Sequence, residues 1–317
     1  WPSGTRTELE PDLRGEQAGR MSDAAPFPPA APPPRRVEPG LYLVATPIGN
    51  LRDMTLRALD VLTAADLVLA EDTRVTAKLL SAYGLKARLE RCDDHASARA
   101  ADQAVERLRE GQVVALVSDA GTPLIADPGF ELSRMAAAEG LTVQTAPGAS
   151  ALLAALTLAG LPTDRFMFAG FVPSARGARR SWLAEVAAVR ATVVMFDSPR
   201  RVKQTLEELC EIDANRSTVV CRELTKKFEE VLRGTAAELA ERIPDEGLRG
   251  EVVILLAPPA QLAVDDDVLR AALADRLGRM SVRDAASEVA AEHGVARKLA
   301  YALAVEMGRS DTGATGG

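Results

Sequence analysis

The sequence predicts an α/β protein with two sheet-containing domains and a small all-helical domain at its carboxyl end. Short apolar or β-branched runs alternate with helical patterns from Leu41 to Leu256, and only helical patterns follow. The 317 residues exceed what one hydrophobic core usually organises. Aromatic residues make up 4% of the chain and apolar residues 47%, which favours an aliphatic, helix-rich interior over an all-β sandwich.

The first α/β domain is predicted at residues 40–158. Its strands are expected at Leu41–Ala45, Asp66–Ala70, Val113–Val117 and Thr142–Ala146, and its helices at Thr55–Leu62, Val75–Tyr83, Ala98–Arg109 and Phe130–Ala138. Gly84, Gly111 and Gly140 stand where helix C-caps favour a residue that tolerates positive φ. Strands separated by helices indicate βαβ units, and hence a mostly parallel sheet covered by helices.

The second α/β domain is predicted at residues 159–257. Its strands are expected at Phe166–Val172, Thr192–Phe196, Ser217–Arg222 and Glu251–Leu256. Residues 264–310 are expected to form about three helices separated by Gly278 and Gly294. Residues 1–39 hold nine of the 19 prolines in a polar segment without apolar periodicity, so this segment is predicted to be disordered.

Composition excludes several classes of protein. A net charge of −7 argues against coating nucleic acid over the whole surface, so any RNA contact must be local. Cys92, Cys210 and Cys221 form no CxxC pair, which predicts free thiols in a reducing cytoplasm. No apolar run reaches the ~18 residues of a membrane span. With only His95 and His293 and no GxxxxGK, GxGxxG or HExxH motif, no metal site, hydrolysis or phosphoryl transfer is expected.

Four polar loops each follow a predicted strand directly. They are Thr46–Asn50, Glu71–Arg74, Ser118–Pro123 and Pro147–Ser150. Since the carboxyl ends of parallel strands share one rim, these loops should converge on one ligand pocket. Gly121 and Gly148 would let the backbone approach an adenosine-bearing ligand closely. For any single loop, the alternative is an ordinary strand-to-helix turn.

Seven motifs occur in order between roughly Gly40 and Ala257. They are Thr46-Pro47-Ile48-Gly49-Asn50-Leu51, Ala70-Glu71-Asp72-Thr73-Arg74, Ser118-Asp119-Ala120-Gly121-Thr122-Pro123, Gly160-Leu161-Pro162-Thr163-Asp164-Arg165-Phe166, Phe196-Asp197-Ser198-Pro199-Arg200-Arg201, Arg222-Glu223-Leu224-Thr225-Lys226 and Arg233-Gly234-Thr235. This string of motifs resembles the ribosomal RNA small-subunit methyltransferase I family, a branch of the tetrapyrrole methylase superfamily. The sequence departs from the family where His-Glu-His-Asn is replaced by Asp93-Asp94-His95-Ala96.

The resemblance implies a two-domain methylase that binds S-adenosylmethionine between its domains. Its substrate would be the ribose 2′-hydroxyl of a cytidine in the decoding region of 16S rRNA, within the small ribosomal subunit. The residues implied to contact the methyl donor are Pro47, Ser118, Asp119, Gly121, Thr122, Pro123, Leu124, Gly148, Ser150, Ala151 and Phe196, with Asp119 and Thr122 foremost. A homodimer, common in the superfamily, is a further expectation.

A general base is expected on the same rim. Holding the ribose oxygen in line with the methyl carbon should contribute most to catalysis, and a carboxylate or imidazole could take the hydroxyl proton. The candidates are Asp72, Asp93, Asp94 and His95. The alternative for the three aspartates is helix N-capping, and the alternative for His95 is a solvated loop histidine.

Basic residues concentrate between Ser174 and Lys203, where seven basic residues against two acidic ones give a net charge of +5. Such a patch can hold a phosphate backbone, although a solvated helix face is the alternative. The predicted RNA contacts are Arg176, Arg179, Arg180, Arg200 and Arg201, extended by Arg74 and Lys226. The helical tail resembles the family's helix-turn-helix, which predicts either an accessory ribosome contact or a packing or dimerisation element.

Three functions remain open from the sequence. They are an rRNA ribose methyltransferase, a small-molecule tetrapyrrole-type methylase and a non-catalytic RNA-binding module. The basic patch and the helical tail favour the first over the second, because a small ring substrate needs neither. The non-catalytic alternative would leave the four rim loops without a role.

Overall fold

The computed structural model describes residues 36–92, 97–260, 266–295 and 297–312. Most of the segment predicted to be disordered lies outside these residues, as do the candidate bases Asp93, Asp94 and His95. Within the described residues, ten strands form two five-stranded sheets and eleven α-helices surround them or follow them. The α/β class and the helical carboxyl-terminal domain that the sequence predicts are confirmed.

The first sheet is entirely parallel, with strand order β3-β2-β4-β1-β5. Its strands are β1 (Gly40–Val44), β2 (Leu67–Ala70), β3 (Leu89–Arg91), β4 (Val113–Val117) and β5 (Val143–Ala146). The helices that connect them are α1 (Leu56–Ala64), α2 (Thr73–Ala82), α3 (Ser97–Arg109) and α4 (Phe130–Ala138). Because all these pairs are parallel, the loops that follow the strands emerge at one edge.

Helices cover both faces of this sheet, as its continuous apolar strands require. Successive side chains of a strand point to opposite faces. Leu69 and Leu116 therefore pack with α3 and α4, while their neighbours Val68 and Ala115 pack with α1 and α2. All four are at most 2% exposed, and burial of a leucine side chain contributes about 1.5–3 kcal/mol.

The second sheet is mixed, with order β6-β7-β10-β8-β9; only β6 and β7 pair in parallel. Its strands are β6 (Phe166–Phe171), β7 (Thr192–Asp197), β8 (Ser217–Arg222), β9 (Glu230–Thr235) and β10 (Val252–Leu256). Its helices are α5 (Ala151–Ala159), α6 (Arg176–Ala187), α7 (Val202–Asp213) and α8 (Ala236–Arg242). Helices α6 to α8 cover one face, and α5 packs on the other together with Ile48 from the loop after β1.

The carboxyl-terminal domain consists of α9 (Asp266–Leu277), α10 (Val282–His293) and α11 (Arg297–Thr312). Ser281 caps α10 by accepting the Asp284 backbone N–H at 3.2 Å, and Gly294 ends the helix with a φ of +65°. Leu269, Leu273 and Val289 are fully buried between the three helices. Across the described residues, none of the helices combines the length and apolarity that crossing a bilayer demands.

Candidate active site

The loops after β1, β4 and β5 meet at the carboxyl edge of the first sheet. The backbones of Thr46 and Gly121 exchange two hydrogen bonds, of 2.9 and 3.1 Å, and the Thr122 hydroxyl donates to the Ala149 carbonyl at 3.1 Å. Gly121 has a φ of +84°, and a Cβ there would lie 3.2 Å from Cγ2 of Ile48. Glycine therefore permits both this turn and the close approach of the β1 loop.

The loop after β2 joins the others through Asp119, whose Oδ1 accepts the Asp72 backbone N–H at 3.0 Å. Asp72 caps α2: its Oδ1 accepts the Arg74 backbone N–H at 2.8 Å, and its Oδ2 lies 2.6 Å from the Arg74 guanidinium. These hydrogen bonds to Arg74 hold the pKa of Asp72 well below its usual range. Asp72 therefore occupies the capping role that the sequence left as an alternative, and the geometry does not support it as a base.

A cavity of about 360 Å³ lies between these loops and the second sheet. This volume falls within the range of small-molecule sites. Six of the eleven residues predicted to contact the methyl donor line it, namely Asp119, Gly121, Thr122, Ser150, Ala151 and Phe196. Three of the four predicted loops contribute lining residues, the loop Glu71–Arg74 contributes none, and the second sheet completes the wall.

The other five predicted donor contacts do not line the cavity, and their contact with the donor stays a prediction. Pro47 and Pro123 are buried, and the Ser118 hydroxyl donates to the Gly121 carbonyl at 3.2 Å. Leu124 packs against the core on the α3 and α4 side of the first sheet. A Cβ on Gly148 would lie 3.0 Å from Cβ of Ala45, so Gly148 allows tight packing on the end of β1.

A carboxylate that the sequence analysis missed also lines the cavity. Leu124 and Ala126 have φ values of 70° and 66°, a strained backbone of the kind found at functional sites, and this turn carries Asp127. Burial, opposed by the Ser118 hydroxyl and reinforced by the charge of Asp119, raises the pKa of Asp127 to about 6. The signal in the sequence was the turn Asp127-Pro128-Gly129 directly before a helix.

The carboxylates that line the cavity differ in the hydrogen-bond donors and cations that contact them. Thr205 donates to Asp197 at 2.6 Å, and Glu251 lies 2.9 Å from the Lys226 ammonium. Burial raises the pKa of Asp197 even so. In the described part of the chain, no basic side chain lies within 4.0 Å of the carboxylates of Asp119 or Asp127. Among the described residues, these two carboxylates therefore form no ion pair, although the charge of Arg74 acts on Asp119 from a longer distance.

Arg179, predicted to bind RNA, is only 3% exposed. Its guanidinium donates to both carboxylate oxygens of Glu208, at 2.8 and 2.9 Å, and to the Ser174 carbonyl at 3.2 Å. The prediction of an RNA contact is wrong for this residue. The acidic partner belongs to α7, outside the segment whose charges the sequence analysis counted.

Most of the other basic residues predicted to contact RNA also form ion pairs with carboxylates of the protein. The ion pairs are Arg74–Asp72, Arg180–Glu211, Arg201–Asp197 and Lys226–Glu223. Arg176 keeps a side chain that is 75% exposed, 3.9 Å from Glu208, and Arg200 is exposed directly after the cavity-lining Pro199. The basic surface is therefore smaller than the sequence charge indicates.

Known proteins are similar to this chain in sequence or in fold. Residues 40–240 match the family model described as Tetrapyrrole (Corrin/Porphyrin) Methylases, and residues 263–308 match the RsmI C-terminal HTH domain. Solved structures of a diphthine synthase and of a cobalt precorrin-4 methyltransferase have the same fold. Their TM-scores are 0.54 and 0.52 at 20% and 22% identity, each covers 68% of this chain, and the matches span 89% and 94% of those chains.

Curated relatives named Ribosomal RNA small subunit methyltransferase I are more similar. The protein of Mesorhizobium japonicum is 43% identical over 87% of this chain and 94% of its own length. The relative from Neisseria meningitidis serogroup A is 48% identical over 69% and 76%, and the one from Escherichia coli O157:H7 is 40% identical over 84% and 95%. Together with the family models, these identities show that the chain is a methyltransferase that belongs to the ribosomal RNA small subunit methyltransferase I family of the tetrapyrrole methylases.

Proposed function

We propose that this protein transfers a methyl group from S-adenosylmethionine to the ribose 2′-hydroxyl of a cytidine in the decoding region of 16S rRNA. The observation that carries the proposal is the cavity of about 360 Å³ formed by the rim loops and the second sheet, in a chain of this methyltransferase family. The name that the relatives carry supports small-subunit ribosomal RNA as the substrate.

The lining of the cavity fits this donor. In the described part of the chain, no basic side chain lies within 4.0 Å of the Asp119 and Asp127 carboxylates, and a sulfonium cation nearby would favour their ionised forms. Ile48, Leu224 and Phe196 supply apolar surface of the kind that packs on a nucleoside. The residues proposed to hold the donor are Asp119, Gly121, Thr122, Ser150, Ala151 and Phe196. When bound, S-adenosylmethionine would supply an electrophilic methyl group.

The residues of the chain then have two tasks, to orient the ribose hydroxyl and to accept its proton. Orientation is the larger contribution in a displacement of this kind. Asp127 is the proposed proton acceptor, because it lines the cavity and because a carboxylate with a pKa of about 6 is ionised at neutral pH yet more basic than an ordinary aspartate. Asp93, Asp94 and His95 stay predictions that alanine substitution would test.

Purified 30S subunits, incubated with the protein and tritium-labelled S-adenosylmethionine, test the function. After digestion of the RNA to nucleosides, the label is expected in 2′-O-methylcytidine. Label on a base, or transfer to a tetrapyrrole acceptor instead of RNA, would contradict the proposal.

Asp127→Asn tests the proton acceptor in the same assay. The turnover number should fall ~100-fold or more, because general base catalysis contributes about 10²–10⁴-fold. The wild-type kcat/KM for S-adenosylmethionine, which reports the enzyme without bound donor, should also rise as the pH passes through about 6, where Asp127 ionises, and the variant should lack this rise. Asp102→Asn, an exposed carboxylate on α3, is the matched control and should keep wild-type turnover.

The proposed partner is the small ribosomal subunit, and the proposed location is the cytoplasm, where that subunit is assembled. Arg176, Arg200 and Arg74 are the exposed arginines proposed to contact phosphate groups. Replacing Arg176 and Arg200 together by alanine should weaken 30S binding at low salt and reduce its dependence on salt. A homodimer stays a prediction that light scattering would check.

A further inference from the structure

The Phe171 ring is at the cavity and yet largely in solvent. Phe171 is the last residue of β6, lines the cavity and is 63% exposed. Burial of a phenylalanine side chain contributes about 1.5–3 kcal/mol to stability. Phe171 gains only a small part of this free energy in the protein without a ligand. The cavity-lining Phe196 is more buried, so the two rings occupy different depths.

A β-bulge turns Phe171 towards this position. Phe168 is opposite Val194 and Gly170 is opposite Met195, so Ala169 is an extra residue without a partner on β7. Gly170 has a φ of +82°, which lets the backbone absorb the extra residue. Without the bulge, the period of two would place Phe171 on the face opposite Phe168.

The aromatic contacts confirm that Phe171 is on the same face as Phe168. Phe196 packs edge-to-face with both rings, with centroid distances of 4.9 Å to Phe168 and 5.4 Å to Phe171. The Val172 backbone N–H continues the ladder by donating to the Phe196 carbonyl at 2.8 Å. Phe171 is therefore held against Phe196 while most of its surface stays open at the cavity.

One arginine follows the cavity wall directly in the chain. The cavity-lining Pro199 precedes the exposed Arg200, whereas Arg176, at the start of α6, lies 3.9 Å from Glu208 and is not among the cavity-lining residues. An exposed aromatic ring at a cavity, with an arginine following the cavity wall, fits the way proteins stack an unpaired base and hold its phosphate.

We infer that Phe171 is the stacking platform for an unstacked base of the RNA substrate, which brings the sugar of that strand to the cavity. The inference rests on the proposed function, because it assigns the RNA to the mouth of the same cavity. Phe171 is a positioning residue, since it touches a base and takes no part in the transfer itself.

Phe171→Ala should raise the KM for 30S subunits about 5- to 150-fold, the equivalent of the ~1–3 kcal/mol that base stacking contributes. The dissociation constant for S-adenosylmethionine, measured by calorimetry, should stay at the wild-type value. The free energy of unfolding should fall by no more than the ~0.5–1.5 kcal/mol that the aromatic contact with Phe196 contributes. Phe228→Ala is the matched control, because Phe228 is 62% exposed but is not among the cavity-lining residues. A wild-type KM for Phe171→Ala, or weaker binding of S-adenosylmethionine by it, would overturn the inference.

Phe171→Trp provides a readout that does not depend on methylation. The indole should restore the KM, and its fluorescence should be quenched by a short oligocytidylate more than that of the wild-type protein, which keeps Trp1 and Trp182. Quenching without methylation of 30S subunits would mean that the proposed function fails while the stacking site stands. An absence of quenching together with an active wild-type enzyme would overturn the stacking site alone.

Discussion

Replacing Arg179 by methionine separates a packing role from a role in RNA binding. The side chains of Arg179 and Glu208 are 4% and 7% exposed and share two hydrogen bonds of 2.8 and 2.9 Å. Methionine would leave the Glu208 carboxylate buried, with only the mostly solvated Arg176 at 3.9 Å. Removing one partner of a buried pair costs about 3–5 kcal/mol. At roughly 2–4 °C per kcal/mol, the melting temperature should fall by ~6–20 °C.

Thermal and urea denaturation followed by circular dichroism would measure this loss, and 30S binding would be measured below the transition. Arg176→Met is the control: it touches the same Glu208 from the surface and should change stability by less than ~1 kcal/mol. Replacing Glu208 by leucine as well should recover most of the stability, because no buried charge is then left unpaired. Wild-type melting of Arg179→Met combined with weaker 30S binding would refute the burial argument.

Three further outcomes are expected. Gly121→Ala and Gly84→Ala should each lower the free energy of unfolding by about 1–2 kcal/mol, because both glycines have a positive φ. A Cβ at Gly121 would lie 3.2 Å from Ile48, whereas a Cβ at Gly84 would meet no atom within 4 Å. Only Gly121→Ala should therefore weaken S-adenosylmethionine binding in calorimetry. The pKa of Asp127 is raised from 3.8 to about 6 in the folded protein, so the stability that this carboxyl contributes at low pH is lost as the pH rises through 6. Asp127→Asn should therefore have a higher melting temperature than the wild type at neutral pH and the same melting temperature below about pH 4. A lower melting temperature of the variant at neutral pH would contradict this. Thr205→Val should lower the free energy of unfolding in urea by about 1–3 kcal/mol, because it removes the 2.6 Å hydrogen bond to the buried Asp197. An unchanged midpoint of urea denaturation would mean that another group donates to this carboxylate.

Strands at the centre of each sheet could be predicted because their burial on both faces leaves an apolar run in the sequence. The bounds of β4 and β8 agree with the prediction to the residue. The two strands that the sequence did not predict, β3 and β9, each lie at one edge of a sheet, whereas the strands at the opposite edges, β5 and β6, were predicted. Strand β3 is only three residues long and β9 begins with an acidic residue, so neither has the apolar pattern of a buried strand.

Residues of the candidate site could be predicted where they lie in a loop that follows a strand. They could not be predicted where tertiary contacts determine whether a residue reaches the cavity. Asp119 and Thr122 could be placed because they directly follow a predicted strand. Asp127 reaches the cavity through a turn with two non-glycine residues at positive φ, and Phe171 through a bulge, and neither conformation leaves a periodic signal in the sequence. The burial of Arg179 depended on α7, which pairs with α6 only in the folded chain.

The pairing of arginines with carboxylates across α6 and α7 affects how the protein would release the ribosome. Each phosphate that a protein neutralises steepens the dependence of log affinity on log salt by about 0.7 for a single strand and about 0.9 for a B-form duplex. Where carboxylates of the protein already neutralise the guanidinium groups of a surface, binding of RNA to that surface releases few counterions. The proposed complex with the 30S subunit should therefore tolerate changes in potassium concentration, and its dissociation rate should depend on the few contacts at the cavity.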